Sequence, residues 1–170
     1  MAADAFLFYD TIDCLLEKIS GSLIEGGANP LRKISKEHLL ELESLFGQAL
    51  LSRALQLVHD DKKPIKVYLT ANAVSRLYEV PGSKYPAIYK IFPGINFCSC
   101  ESFRYWVLQN RHQATCKHVL AVWLATSLGR IQEETVSEKA FQQLKADLIK
   151  ERCSSIGGFT AGAGPSKRST

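Results

Sequence analysis

Three of the five cysteines and one of the four histidines stand as two short pairs, Cys98-Ser99-Cys100 and Cys116-Lys117-His118, with fifteen residues between the pairs. One residue separates the members of each pair, as expected of two chelating arms. Zinc takes thiolate and imidazole donors tetrahedrally, at about 2.3 Å for sulfur and about 2.0–2.1 Å for nitrogen. Cys98, Cys100, Cys116 and His118 would fill that shell around one ion. A turn can aim both members of the first pair at a common point. The second pair suits the start of a helix, where free backbone N–H groups and the positive dipole end stabilise a thiolate at Cys116.

Other readings of these residues are weaker. Free cysteines are common in apolar cores, which suits Cys14 and Cys153. That account gives no reason for a histidine two residues after Cys116, nor for a nearly polar Cys-Ser-Cys close to Pro93-Gly94. A redox dithiol or disulfide would strand the third cysteine. His112, four residues before Cys116, is a rival fourth ligand, although Asn110 and Arg111 beside it suit an exposed loop and favour His118.

Four protein ligands leave no position for the activated water of hydrolytic zinc. A deaminase-type site needs a histidine–glutamate arm followed by a Cys-x-x-Cys arm, and neither is present. Glu101 adjoins Cys100 but has no paired base, so it reads as a surface group. The chain also lacks a glycine-rich phosphate loop ending in Lys-Ser or Lys-Thr, which argues against an ATPase of its own. A structural zinc ion in a non-enzymatic protein is therefore expected. Its binding energy would be folding energy, because the ligands converge only on folding.

The elements that must carry the two arms follow from periodicity. Ile12, Leu15, Leu16, Ile19 and Leu23 recur at helical spacing from Asp10 to Ile24, and Gly26, Gly27, Asn29 and Pro30 stop the pattern. A second helix runs from a Ser35 cap to about His59, with Leu39, Leu42, Leu45, Phe46, Leu50, Ala54 and Val58 on its apolar side. Both helices offer more apolar surface than a single stripe, for the rest of the fold or for another chain.

Beyond Asp60 the period becomes two. Ile65-Val67-Leu69, Leu77-Tyr78-Val80 and Ile88-Tyr89-Ile91 read as three short strands of a small antiparallel sheet, with Pro81-Gly82 suited to a tight reversal. A helical stretch is plausible around Phe103, Trp106 and Val107. The surest helix starts near Cys116, is apolar nearly all round through Leu124, and ends at Gly129; it is the expected core helix. Thr135 and Glu138 have capping-box spacing for a last amphipathic helix carrying Val136, Phe141, Leu144 and Leu148. Ser154 to Thr170 is too poor in apolar residues to order itself.

The expected fold class is thus α+β. Residues 1–60 form a helical front, residues 61–130 a sheet and metal finger, residues 131–153 a closing helix and residues 154–170 a tail. With 170 residues, 46% hydrophobic and 22% charged, the chain fits one domain, and no apolar run reaches the roughly 18 residues of a spanning helix. Met1 to Phe8 lacks the basic start and long apolar run of a secretory signal, so a compartment with reduced thiols is expected.

Net charge is +4, distributed as −4 over residues 1–52, +7 over 53–130 and +1 over 131–170. The basic middle would suit a polyanion. Lys62, Lys63, Lys66, Arg76, Lys84 and Lys90, joined by Arg53 before them and by Arg104, Arg111 and Lys117 within the finger, are the candidate phosphate contacts. Tyr68, Tyr78, Tyr85 and Tyr89 could stack on bases, but sheet packing is the commoner use of such residues and the favoured one here.

Cys-x-Cys, a variable loop and Cys-x-His, preceded by a small sheet and ending in a helix, resembles the SWIM zinc finger. Cys98, Cys100, Cys116 and His118 match that pattern position for position. The small size, the helical front and the Cys116-Lys117-His118-Val119-Leu120-Ala121-Val122 run look like the compact SWIM proteins of Shu-type recombination complexes. That resemblance implies a nuclear, non-catalytic partner of a RecA-like recombinase paralogue that carries the ATPase. The pair would support recombinase assembly on single-stranded DNA during homologous recombination, with no membrane or small-molecule substrate involved. A division of labour would follow, with the N-terminal helices toward the partner and the basic middle toward DNA. The competing class is a stand-alone interaction adaptor held together by zinc.

Overall fold

The computed structural model describes residues 2–24, 34–72, 74–83 and 86–156, with side chains described for residues 9–21 in the first of these segments and up to residue 150 in the last. Three helices come first: α1 (Ala2–Ile24), α2 (Lys36–Phe46) and α3 (Gln48–Val58). Strands β1 (Lys66–Thr70), β2 (Arg76–Pro81) and β3 (Ile88–Ile91) follow, then a π-helical turn (Phe103–Gln109), α4 (Lys117–Ser127), β4 (Gln132–Val136) and α5 (Glu138–Ile156). Among the described residues no helix is long and apolar enough to cross a membrane.

The expected helix over 35–59 is two helices. Ser35 caps the first, its Oγ accepting from the His38 N–H at 3.2 Å. Gly47 then takes φ 76° and ψ 145°, a conformation essentially reserved for glycine. Its N–H closes α2 on the Glu43 carbonyl at 2.8 Å, and its carbonyl accepts the first bond of α3 from Leu51 at 3.1 Å. The apolar repeat runs unbroken across this glycine, which is why periodicity alone merges the two helices. Much of the apolar surplus read from the front is absorbed internally, since Ile12, Leu15, Ile19, Leu42, Leu50, Leu51, Ala54 and Val58 are all buried.

The three expected strands pair antiparallel, Val67 opposite Tyr78 and Val80 opposite Tyr89. A fourth strand, β4, adds parallel to the other edge of β1, giving the order β3-β2-β1-β4 and a mixed sheet. The capping box drawn at Thr135 is therefore displaced. Thr135 and Val136 belong to β4, and α5 starts after Ser137, whose Oγ accepts from Ala140 N at 3.2 Å. Gln132 to Thr135 are exposed and show no apolar alternation, so the strand is held by its backbone ladder and by the Lys66–Glu134 ion pair at 3.6 Å. No periodic signal marks such a strand.

Helix α4 lies at the centre, packed against α3, α1 and β2. His118, Val119, Leu120, Ala121, Val122, Leu124 and Ala125 are buried, and Gly129 at φ 61° ends the run as expected. Burying Leu120 and Leu124 contributes on the order of 1.5–3 kcal/mol each. Cys14, read as a core cysteine, is exposed. It stands one residue before Leu15, off the face on which Ile12, Leu15 and Ile19 are buried. Helix α5 runs through Ile156, three residues into the expected tail; the rest of that tail, the side chain of Cys153, the expected stop at Gly26, Gly27, Asn29 and Pro30, and Lys84 and Tyr85 lie outside the described residues.

Candidate metal centre

The chain leaves β3 through a turn at Pro93 and Gly94, where the Ile95 N–H reaches the Phe92 carbonyl at 3.3 Å and Gly94 adopts φ 70°. The stretch that follows buries Cys98 and Cys100 and exposes Ser99. Cys100 begins the π-helical turn: its carbonyl accepts from Phe103 and Arg104 at 3.1 and 3.2 Å, and its Sγ accepts from the Phe103 N–H at 3.3 Å. Opposite, Cys116 is the extended residue preceding α4, and His118 stands in the first turn.

All four side chains are buried, and their donor atoms lie within 4.8 Å of one another. The ring atom facing the sulfurs is His118 Nδ1, 3.7 Å from Cys98 Sγ and 4.0 Å from Cys116 Sγ. A tetrahedron with metal–sulfur bonds of about 2.3 Å has edges of about 3.8 Å, so these separations suit four donors around one ion. Coordination through Nδ1 leaves the proton on Nε2, which is buried and has no hydrogen-bond partner among the described residues. The Tyr89 ring covers the imidazole, centroids 4.1 Å apart.

None of the three sulfurs is in a disulfide, and they lie close enough to hydrogen-bond one another. Hydrogen bonds from Cys116 and Cys98 hold the Cys100 thiol far below the ordinary range. Cys98 is driven far above it, first by its hydrogen bonds to Cys100 and Cys116 and then by burial. Cys116 is pushed up to about 12, chiefly by its hydrogen bond to Cys100. Holding three thiolates so close requires a compensating cation, and a dication with a taste for sulfur meets that need. With three sulfurs and one imidazole already supplied, the shell is complete and the centre is a fastening between sheet and core helix.

His112, the rival ligand, is exposed and stands outside the cluster. Glu101 is exposed and sits 4.0 Å from Arg104, as a surface group would. Sequence reasoning missed the residues that set the spacing of the two arms. Asn96 donates to the Ala114 carbonyl at 2.8 Å and accepts from Thr115 Oγ1 at 2.8 Å, and its Nδ2 also reaches the Tyr9 hydroxyl at 2.7 Å. One amide therefore joins the segment before Cys98, the segment before Cys116 and α1. Polar residues just outside each arm were the only signal of it. Replacing Asn96 by alanine leaves the fully buried Thr115 hydroxyl unpaired. It should cost about 1–3 kcal/mol, read as a lower urea midpoint with zinc content still one per chain.

The candidate phosphate contacts divide. Lys66 is half-buried and paired with Glu134. Lys90 is half-buried opposite Glu79 in the sheet register. Lys62, Arg76, Arg104 and Arg111 are exposed at separate places, Arg111 with φ 53°. Arg53, Lys63 and Lys117 line one cleft. The sheet tyrosines pack as favoured: Tyr78 is buried, the Tyr68 hydroxyl donates to Glu79 at 3.4 Å, and Tyr89 lies on His118.

Comparison with known proteins agrees with this geometry. The family model of the SWIM zinc finger matches residues 89–126, which span most of β3, both arms and nearly all of α4. The human zinc finger SWIM domain-containing protein 7 is 34% identical over 120 residues, covering 71% of this chain and 80% of that protein. Its mouse counterpart is 33% identical over 129 residues, covering 76% and 82%. A homolog from Dictyostelium discoideum is 29% identical over 114 residues, covering 67% and 70%. These names denote a domain and no reaction, and no solved structure matches the chain. A Cys3His cluster built from Cys98, Cys100, Cys116 and His118, inside the matched segment, supports one structural zinc ion, and the chain belongs to the SWIM zinc-finger proteins of the SWIM domain-containing protein 7 family.

Proposed function

We propose that this protein is a non-catalytic, nuclear subunit that pairs with a RecA-like recombinase paralogue and supports recombinase assembly on single-stranded DNA during homologous-recombination repair. The observation carrying the non-catalytic part is that the chain itself supplies four buried donors, which leaves the metal a structural role. Family membership supports the remainder, through the Shu-type resemblance carried by the same residues. Among the described residues, the largest group of exposed apolar side chains near one another in sequence lies on the finger. Ile95, Phe97, Tyr105, Trp106 and Leu108 are all exposed, Trp106 by 41%, whereas Leu40 is the only such large aliphatic residue on α2 and α3 among the described residues. Aromatic residues of this kind dominate interface energetics when buried by a partner. Among the described residues the finger thus offers an apolar surface to a partner in addition to the one expected of the helical front.

A stand-alone adaptor is the second reading, favoured by this same apolar connector, which needs no nucleic acid to be useful. Affinity purification of the native full-length chain separates the two. The first reading expects an ATPase-fold subunit at equal stoichiometry. Trp106→Ala should weaken its retention by about tenfold or more while zinc stays at one per chain, as for an interface anchor. Co-purification of unrelated proteins only, or undiminished retention of the partner by Trp106→Ala, would count against it.

A further inference from the structure

Between α3, the turn after it and the β2–β3 reversal lies a cleft of about 460 Å³. Its walls come from four separate parts of the chain. Arg53 stands on α3, Lys63 on the following turn, Lys117 at the start of α4, and Gly82 and Ser83 at the reversal, with Asp60 as the one carboxylate. The wall at Gly82 is closely packed. A side chain at Gly82 would meet Ala87 Cβ and Tyr89 Cε2 at 2.9 Å, and the Gly82 N–H is bonded to the Ala87 carbonyl at 2.7 Å. Lys117 donates to Ser83 Oγ, which steers its ammonium along the cleft and leaves two of its three donors for something else. Asp60 is already engaged, its Oδ1 accepting from the Lys62 N–H at 3.1 Å. Among the described residues neither Arg53 nor Lys63 has a carboxylate partner.

Among the described residues, three cations thus line one concavity with a single opposing charge. The shape and chemistry select against a protein guest, which would need an apolar centre inside a polar rim. Here the cations occupy the walls, and none of the exposed large apolar side chains among the described residues lines the cleft. A phosphate fits better, because the Arg53 guanidinium can take two phosphate oxygens at once while the lysines act as point charges beside it. The volume falls within the range of ligand sites and exceeds what one isolated phosphate fills.

We propose that this cleft holds the phosphodiester backbone of a single nucleic-acid strand, with Arg53, Lys63 and Lys117 as its phosphate contacts. The assignment rests on the nucleic-acid part of the proposed function and narrows ten scattered candidates to three. It also places the strand beside the zinc centre, since Lys117 lies between the ligands Cys116 and His118. The metal then serves the strand indirectly, by fixing where α4 begins.

The test is anisotropy of a labelled oligothymidylate against the full chain, with and without its co-purified partner, between about 50 and 200 mM salt. The double variant Arg53→Gln/Lys63→Gln is compared with the equally charged Lys36→Gln/Lys139→Gln, whose side chains are exposed away from the cleft. All four positions are exposed, and zinc content and circular dichroism verify that each variant is folded. The cleft pair should lose about tenfold or more in affinity at low salt, and its salt dependence should fall by about 0.7 for each contact removed. The control pair should change by less than about twofold. Equal losses in the two pairs, with the wild type binding, overturn the cleft and leave the nucleic-acid reading standing. A wild type that binds no oligonucleotide in either state overturns both. Displacement by inorganic phosphate at matched phosphate concentration would make this a small-anion site and overturn the strand.

Discussion

Cys116→Ser should yield a chain without zinc and without a cooperatively folded finger. Serine is neutral where a thiolate is needed, so the shell loses its charge balance as well as one donor. Cys116 is fully buried at the start of the core helix, and the sulfurs of Cys98 and Cys100 would remain in the interior without their cation. Apparent zinc-binding energies of about 10–16 kcal/mol in finger peptides equal or exceed the whole stability of a typical domain, about 5–15 kcal/mol. Loss of the ion therefore reaches beyond the local site. His118→Ala should behave alike. Cys14→Ser, at an exposed position, should leave both metal and fold unchanged. Atomic absorption together with thermal unfolding followed by circular dichroism reads all three. A normally folded Cys116→Ser protein with one metal per chain would refute the fastening role.

The second large effect belongs to the helix the metal holds. Leu124 is completely buried in α4, two turns beyond the ligands, where the helical front meets the sheet. Leu124→Ala removes methyl groups and opens a cavity that surrounding side chains fill only in part, at a cost of about 2–5 kcal/mol. The urea midpoint should drop with an unchanged slope, and zinc content should remain one. This pattern differs from that of the ligand variants: stability falls while the coordination centre persists. A change of less than about 0.5 kcal/mol would mean that α4 is peripheral, contrary to its burial.

Elements that announce themselves by side-chain chemistry are legible in the sequence. The metal ligands, the apolar core helix, the Ser35 cap and the alternation of β1 to β3 all rest on residue types at fixed spacing. The remaining features are specified otherwise. The division at Gly47 depends on one backbone angle inside an unbroken apolar repeat. Strand β4 is an exposed polar segment recruited by the free edge of β1, so its identity lies in its partner and not in its own pattern. The Asn96 staple joins residues 18 and 19 positions apart through one amide, and nothing local distinguishes it from any asparagine before a finger. The basic residues can be counted in the sequence, but only folding separates Lys66, balanced by Glu134, from Arg53, Lys63 and Lys117 in their shared cleft.

X-ray absorption at the zinc edge of the purified native chain, combined with its metal stoichiometry, examines the coordination centre itself. One zinc per chain is expected, surrounded by three sulfurs at about 2.3 Å and one nitrogen at about 2.0–2.1 Å. A metal-free folded chain, or an ion carrying water in place of one of these four donors, would contradict a closed structural centre formed by Cys98, Cys100, Cys116 and His118.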